Sequence, residues 1–158
     1  MSTRCQIEFK QISKYINRKK PIIERRTIYR HSDGYPDKVI PDLKDFFRWD
    51  NGFDIEYTPA NFIYWNKRRC IELLQEGEDD KTKKETEDRW SKLGFGICEN
   101  EEFHGDIVYF YEVVNEVTEA IKNKFKTILK VLVYKVEQSD YHKPVKRSDL
   151  KLIKEEML

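Results

Sequence analysis

The run Tyr29-Arg30-His31-Ser32-Asp33-Gly34-Tyr35-Pro36 holds the densest set of reactive side chains in the sequence. An arginine fork can clamp an anion. An imidazole titrates near neutrality and can serve as general acid or base, with a carboxylate to orient it. Arg30, His31 and Asp33 would therefore suit a small hydrolase or nuclease acting at a phosphoester. Strand alternation, however, puts Arg30 and His31 on opposite faces, so one pocket receives at most one of them unless a bulge intervenes. The plainer reading is a turn at Asp33-Gly34 and a hydrogen-bonded structural His31, and it is the favoured one.

Other constellations are thinner. Cys5 with His31 invites a thiol nucleophile, which needs an exposed, electropositive setting. Cys5 is in phase with Ile7 and Phe9 on a core face, so a buried, inert thiol is favoured. His31 with Asp33, and His104 with Asp106, have the i, i+2 spacing of metal ligands on a strand. There is no CxxC, HExxH or HxH, so no metal site is assigned and no cofactor is expected. Arg4, Arg25, Arg26, Tyr29 and Arg30 interleave bases with rings, as nucleic-acid binders do. Arg4, Tyr29, His104 and Asp106 are kept as candidate binding residues. No phosphate-cradling glycine loop is present.

The elements that must position these residues follow from periodicity. Thr3, Cys5, Ile7 and Phe9 alternate with polar residues, giving a strand with one buried face. Arg26 to His31 is a second strand, ended at Pro36. Pro41 suits the first turn of a helix carrying Ile40, Leu43, Phe46 and Phe47. Thr58-Pro59 opens a second helix, with the hydroxyl as cap, ending near Gly77. The stretch from about 76 to 90 is charge-dense. It reads as a loop excursion, or as a solvated helix opened by Thr82 with Glu85. Leu93 to Cys98 is a short strand and Glu99 to Gly105 a turn. Asp106 to Val114 and Thr127 to Val136 are strands apolar on both faces. Val117 to Phe125 fits a short helix. The tail from Ser148 is expected as a terminal helix with Leu150, Ile153 and Met157 inward.

This order, ββ αα βββ α, is segregated rather than alternating. It predicts one α+β domain over residues 1–158, a mainly antiparallel sheet of about five strands with helices on one face.

Charged residues make up 37% of the 158, a level that suggests disorder, but three Trp, nine Phe and nine Tyr supply core area. Three widely spaced cysteines argue against a disulfide framework and for a reducing, cytoplasmic setting. No apolar run approaches a bilayer span. Charge is uneven: Met1 to Arg30 has nine bases and two acids, Glu99 to Glu119 seven acids and no base, Ala120 to Leu158 ten bases and five acids. The favoured reading is that these complement one another within the fold. The sharper one is a basic face for an anionic partner.

Met1-Ser2-Thr3-Arg4-Cys5 followed by the Tyr29–Pro36 motif resembles a family of small uncharacterised proteins of prokaryotes, archaea among them, and their viruses. Gly94-Phe95-Gly96-Ile97 and His104 to Tyr111 are similar to it as well. The resemblance implies a shared fold, with the first strand and the Asp33-Gly34 turn in one design. It implies no activity. A non-enzymatic interaction module with a protein or nucleic-acid partner is the favoured function; the phosphoester hydrolase is the alternative. A sheet edge would offer a route to a homodimer.

Overall fold

The computed structural model describes residues 3–50, 52–91, 94–99, 103–120, 124–137 and 145–158. Their elements are β1 (Cys5–Lys14), β2 (Ile22–Arg30), α1 (Pro36–Asp50), α2 (Thr58–Leu74), α3 (Asp80–Ser91), β3 (Phe95–Cys98), β4 (Tyr109–Ala120), β5 (Lys124–Val136) and β6 (Leu150–Met157). Six strands form one sheet in the order β3-β2-β1-β4-β5-β6. Every neighbouring pair is antiparallel except β1 and β4, which run parallel at the centre. The fold is thus α+β, with one strand more than expected. Among the described residues no helix is long and apolar enough to cross a membrane.

One face of the sheet is apolar and helix-covered. Cys5, Ile7 and Phe9 of β1, Ile28 of β2, Tyr111 and Val113 of β4 and Val131 and Val133 of β5 are all buried there. Val39, Leu43 and Phe46 of α1 and Phe62 of α2 close over them. Phe46 meets Phe62 edge to face with centroids 5.3 Å apart, and Phe9 lies 5.9 Å from Phe62. Burying such rings stabilises by about 1.5–3 kcal/mol each. α3 lies along α2, where Gln75 Nε2 donates to the Lys83 carbonyl at 2.6 Å.

Five sequence expectations change. The terminal helix is β6, hydrogen-bonded along β5. Leu150, Ile153 and Met157 fit a helical stripe, but β5 offers an open ladder, and tertiary pairing overrides local propensity. The expected short helix at Val117 to Phe125 is the paired ends of β4 and β5, with Val117 opposite Thr127 and Ala120 opposite Lys124; Ile121 lies outside the described residues. α1 begins at Pro36, so Pro41 sits inside it and forgoes one helical hydrogen bond. The 76–90 stretch is mostly α3, and its start is capped by Asp79, whose Oδ1 accepts from the Thr82 N–H at 2.9 Å. The Thr58 hydroxyl does not cap α2 either: it accepts from the Asp54 N–H, 2.8 Å, at the preceding turn. Leu93 and much of the expected turn from Glu99 to Gly105 lie outside the described residues.

The Asp33-Gly34 turn has an unexpected division of labour. Asp33 takes the left-handed conformation, φ 53°. Gly34 is needed for closeness instead. Its N–H donates to Thr3 O at 2.9 Å, and its carbonyl accepts from the Tyr111 hydroxyl at 2.7 Å. A Cβ at position 34 would sit 2.9 Å from Cys5 Cβ and 3.0 Å from backbone atoms of Arg4 and Cys5. Backbone cannot swing aside as a long side chain can. Gly34→Ala is therefore expected to cost about 1–3 kcal/mol, read as a lowered urea midpoint with unchanged m-value; an unchanged midpoint would show that the turn relaxes freely.

Candidate functional site

The structure separates the three residues grouped as catalytic candidates. Arg30 is buried on the helix face, where its Nη1 bonds Asp42 Oδ2 at 2.7 Å and its Nε bonds Ser32 O at 2.9 Å. Asn66 Nδ2 also bonds Asp42 Oδ2, at 3.0 Å. Arg30 thus ties β2 to α1 and α2. His31 is exposed, beside Tyr29 on the opposite side, with ring centroids 6.2 Å apart. Asp33 is exposed in the turn. Arg30 and His31 thus face opposite sides of the sheet, and Asp33 lies in the turn beyond them.

The four candidate binding residues do come together. Arg4 Nη1 pairs with Asp106 Oδ2 at 2.5 Å, and the Tyr29 hydroxyl lies 3.3 Å from both Asp106 oxygens. The His104 ring stacks on Tyr29 with centroids 4.5 Å apart. Burial, then the Asp106 charge, push the Tyr29 hydroxyl up to about 12. The cluster binds the 104–106 turn to β1 and β2. Among the described residues no group of three or more His, Cys, Asp or Glu is placed to hold a metal ion. Cys5 is fully buried, and desolvation raises its thiol to about 12, the opposite of an activated nucleophile.

The sheet face away from the helices carries what the sequence did not reveal. Glu8 of β1 and Glu112 of β4 are direct register partners across the parallel pair, and both are buried. Arg147, just before β6, reaches both: Nη1 to Glu112 Oε1 at 2.6 Å and Nη2 to Glu8 Oε1 at 3.4 Å. Lys10 lies 3.8 Å from Glu112, and Arg25 3.6 Å from Glu8. The Tyr134 hydroxyl donates to Glu112 Oε2 at 3.3 Å. Phe103, Ile107, Phe110 and Val145 pack beside this network. In the sequence Glu8 is one of the outward polar residues of an alternating strand. Its burial comes from the segment around Val145 and Arg147, more than 130 positions away.

Toward the far end of the same face, bases and aliphatics alternate in rows set by the register. Lys10, Val114 and Lys130 align with Arg25 of β2; next come Ile23, Ile12, Glu116 and Ile128; then Lys14, Thr118 and Lys126. Beyond them the β1–β2 connection presents exposed Tyr15, Ile16, Arg18, Lys19 and Lys20, and β5 begins with exposed Lys124 and Phe125. The nearby acids are Glu24, Glu116 and Glu119. Glu116 pairs with Lys14 at 2.5 Å, and Glu119 Oε2 accepts the Ile16 N–H at 3.1 Å. The charge counts contain this patch, but only the parallel pairing of β1 with β4 brings the two basic segments together.

Comparison with protein-family models, with curated proteins and with solved structures finds no match. The resemblance noted from the Thr3-Arg4-Cys5 and Tyr29–Pro36 segments therefore rests on those residues alone.

The buried carboxylate pair generates a pH prediction. Burial raises the Glu8 carboxyl above its ordinary range; Arg147 opposes this and the Glu112 charge adds to it. A carboxyl raised in the folded state favours folding while protonated. That contribution is present at low pH and is lost as pH climbs from the unfolded value, about 4.3, through the folded one. Glu8→Gln should match the parent protein in Tm near pH 4. Near pH 7 it should exceed the parent by a few degrees, at roughly 2–4 °C per kcal/mol, by scanning calorimetry. Equal destabilisation at both pH values would mean that Arg147 holds Glu8 as the anion.

Proposed function

We infer that this protein is a non-enzymatic interaction module whose partner is nucleic acid, contacted through the basic end of the open sheet face. The observation that carries this reading is the juxtaposition of the two basic chain segments, Lys14 to Lys20 and Lys124 to Lys126, beside the exposed ring of Tyr15. Lysines that neutralise phosphates release counterions, and exposed rings stack on bases of any sequence.

The phosphoester-hydrolase alternative draws less support. Its anion clamp, Arg30, is committed to Asp42 beneath α1, and His31 stands on the other side. A homodimer through a sheet edge is also less supported. β3 has four residues, and β6 carries an extra residue, Ile153, between the partners of Val133 and Tyr134. Short or bulged edges are poor templates for pairing. One sheet built from both halves of the sequence supports reading the chain as one domain, and the buried, unpaired Cys5 suits a reducing, cytoplasmic setting.

The test is fluorescence anisotropy with a labelled single-stranded 20-mer at graded salt. With about four phosphates contacted, affinity is expected to fall roughly 10–100-fold between 50 and 200 mM salt. The double variant Lys19→Glu with Lys124→Glu should flatten that slope by about two phosphates' worth. Tyr15→Ala should weaken binding by about 1–3 kcal/mol at unchanged slope. Absence of binding at 50 mM salt, or capture by anionic phospholipid vesicles without capture of the oligonucleotide, would overturn the reading.

A further inference from the structure

A cleft of about 610 Å³ opens on the helix side, across the sheet from the basic rows, between the second half of α1, the residues after it and strands β4 to β6. Its volume lies in the range of small-molecule sites. Leu129 of β5 and Asn115 of β4 line it from the sheet, Phe47 and Phe53 from the helix side, and Lys44 and Arg48 supply its cations. The Phe47 and Phe53 rings are nearly parallel, 16° apart, with centroids separated by 6.2 Å.

Asn115 is the unexpected residue. It is 4% exposed, and its side-chain oxygen has no hydrogen-bond partner among the described residues. Its register neighbours are Leu129 on β5 and Gln11 on β1, and its neighbours two positions along the same face of β4, Val113 and Val117, are apolar. A buried polar atom left unpaired carries a desolvation cost that a leucine here would avoid. The cost is offset where a bound molecule supplies a donor. The two rings suit a flat apolar body. Lys44 and Arg48 suit an anionic group at the opposite end, although each already has one carboxylate neighbour, Glu156 and Asp45 respectively.

We propose that this cleft is a binding site for a small aromatic acid that carries a hydroxyl donor. The ring lies against Phe47 and Phe53, the hydroxyl donates to Asn115 Oδ1, and the carboxylate faces Lys44 and Arg48. The site is independent of the nucleic-acid reading and stands or falls separately from it.

The experiment is a titration of the ¹⁵N-labelled protein with 4-hydroxybenzoate and, separately, with benzoate, followed by two-dimensional NMR. The expected result is a saturable shift of the Asn115 side-chain amide. 4-Hydroxybenzoate should bind roughly 5–10-fold tighter than benzoate, the factor one hydrogen bond gives. Asn115→Leu, whose dispersed spectrum would establish that it folds, should abolish that preference; should it fail to fold, Asn115→Asp, which keeps an acceptor oxygen, is expected to retain the hydroxyl preference. Equal affinities for the two acids, no saturable shift with either, or a preference that survives in folded Asn115→Leu would overturn the proposal.

Discussion

The parallel pairing of β1 with β4 is the constraint on which the rest of the molecule depends. Two strands that run the same way cannot be joined by a tight turn, so the chain between them must cross over. Here it does so through β2, three helices and the short β3. β2 and β3 extend the sheet on one side, and α1 and α2 cover one face. β5 and β6 then extend the other side by antiparallel returns. Each half contributes a hairpin-like pair, and the parallel junction points both pairs the same way. Had β1 and β4 been antiparallel, Lys14 to Lys20 and Lys124 to Lys126 would lie at opposite ends of the sheet. Glu8 and Glu112 owe their direct opposition to the same register.

The two faces solve different problems. The helix face is a conventional apolar core, sealed at one corner by Arg30, Asp42 and Asn66, where each charge or amide has a short partner. Arg30 there is a structural cation, which is why it is unavailable to a ligand. Among the described residues the opposite face is covered by no α-helix, only by the single 3-10 turn Arg147–Asp149 ahead of β6. It buries two carboxylates under Arg147 with Lys10 and Arg25 nearby, so its order depends on electrostatic compensation rather than on rings alone. Toward the basic rows that compensation runs out, and cations exceed anions.

Much of the sheet was legible in the sequence because alternation is a local signal. Cys5, Ile7 and Phe9 were readable as core, and the opposition of Arg30 and His31 followed from their being adjacent in a strand. Thr58-Pro59 marked α2, although the hydroxyl serves the preceding turn. The tail was misread because Leu150, Ile153 and Met157 fit a helical stripe, and Lys and Glu between them favour helix; only the free edge of β5 makes it a strand. Charge segregation was legible, but not its meaning, since segments a hundred residues apart meet through long-range pairing. Glu8, Glu112 and Arg147 carry no local mark at all: a glutamate on an alternating strand looks solvated until a distant segment folds across it.

That dependence on Arg147 has a consequence for the order of assembly. A ribosome delivers β1 first and residue 147 near the end of the sequence given. Until then, a growing chain that had already zipped β1 to β4 would hold two facing carboxylates with only Lys10 and Arg25 to neutralise them, neither as close as the arginine to come. The central junction of the sheet therefore gains its closest counter-charge only when the segment around Arg147 has been made and folds across it, the same segment that takes Glu8 out of water.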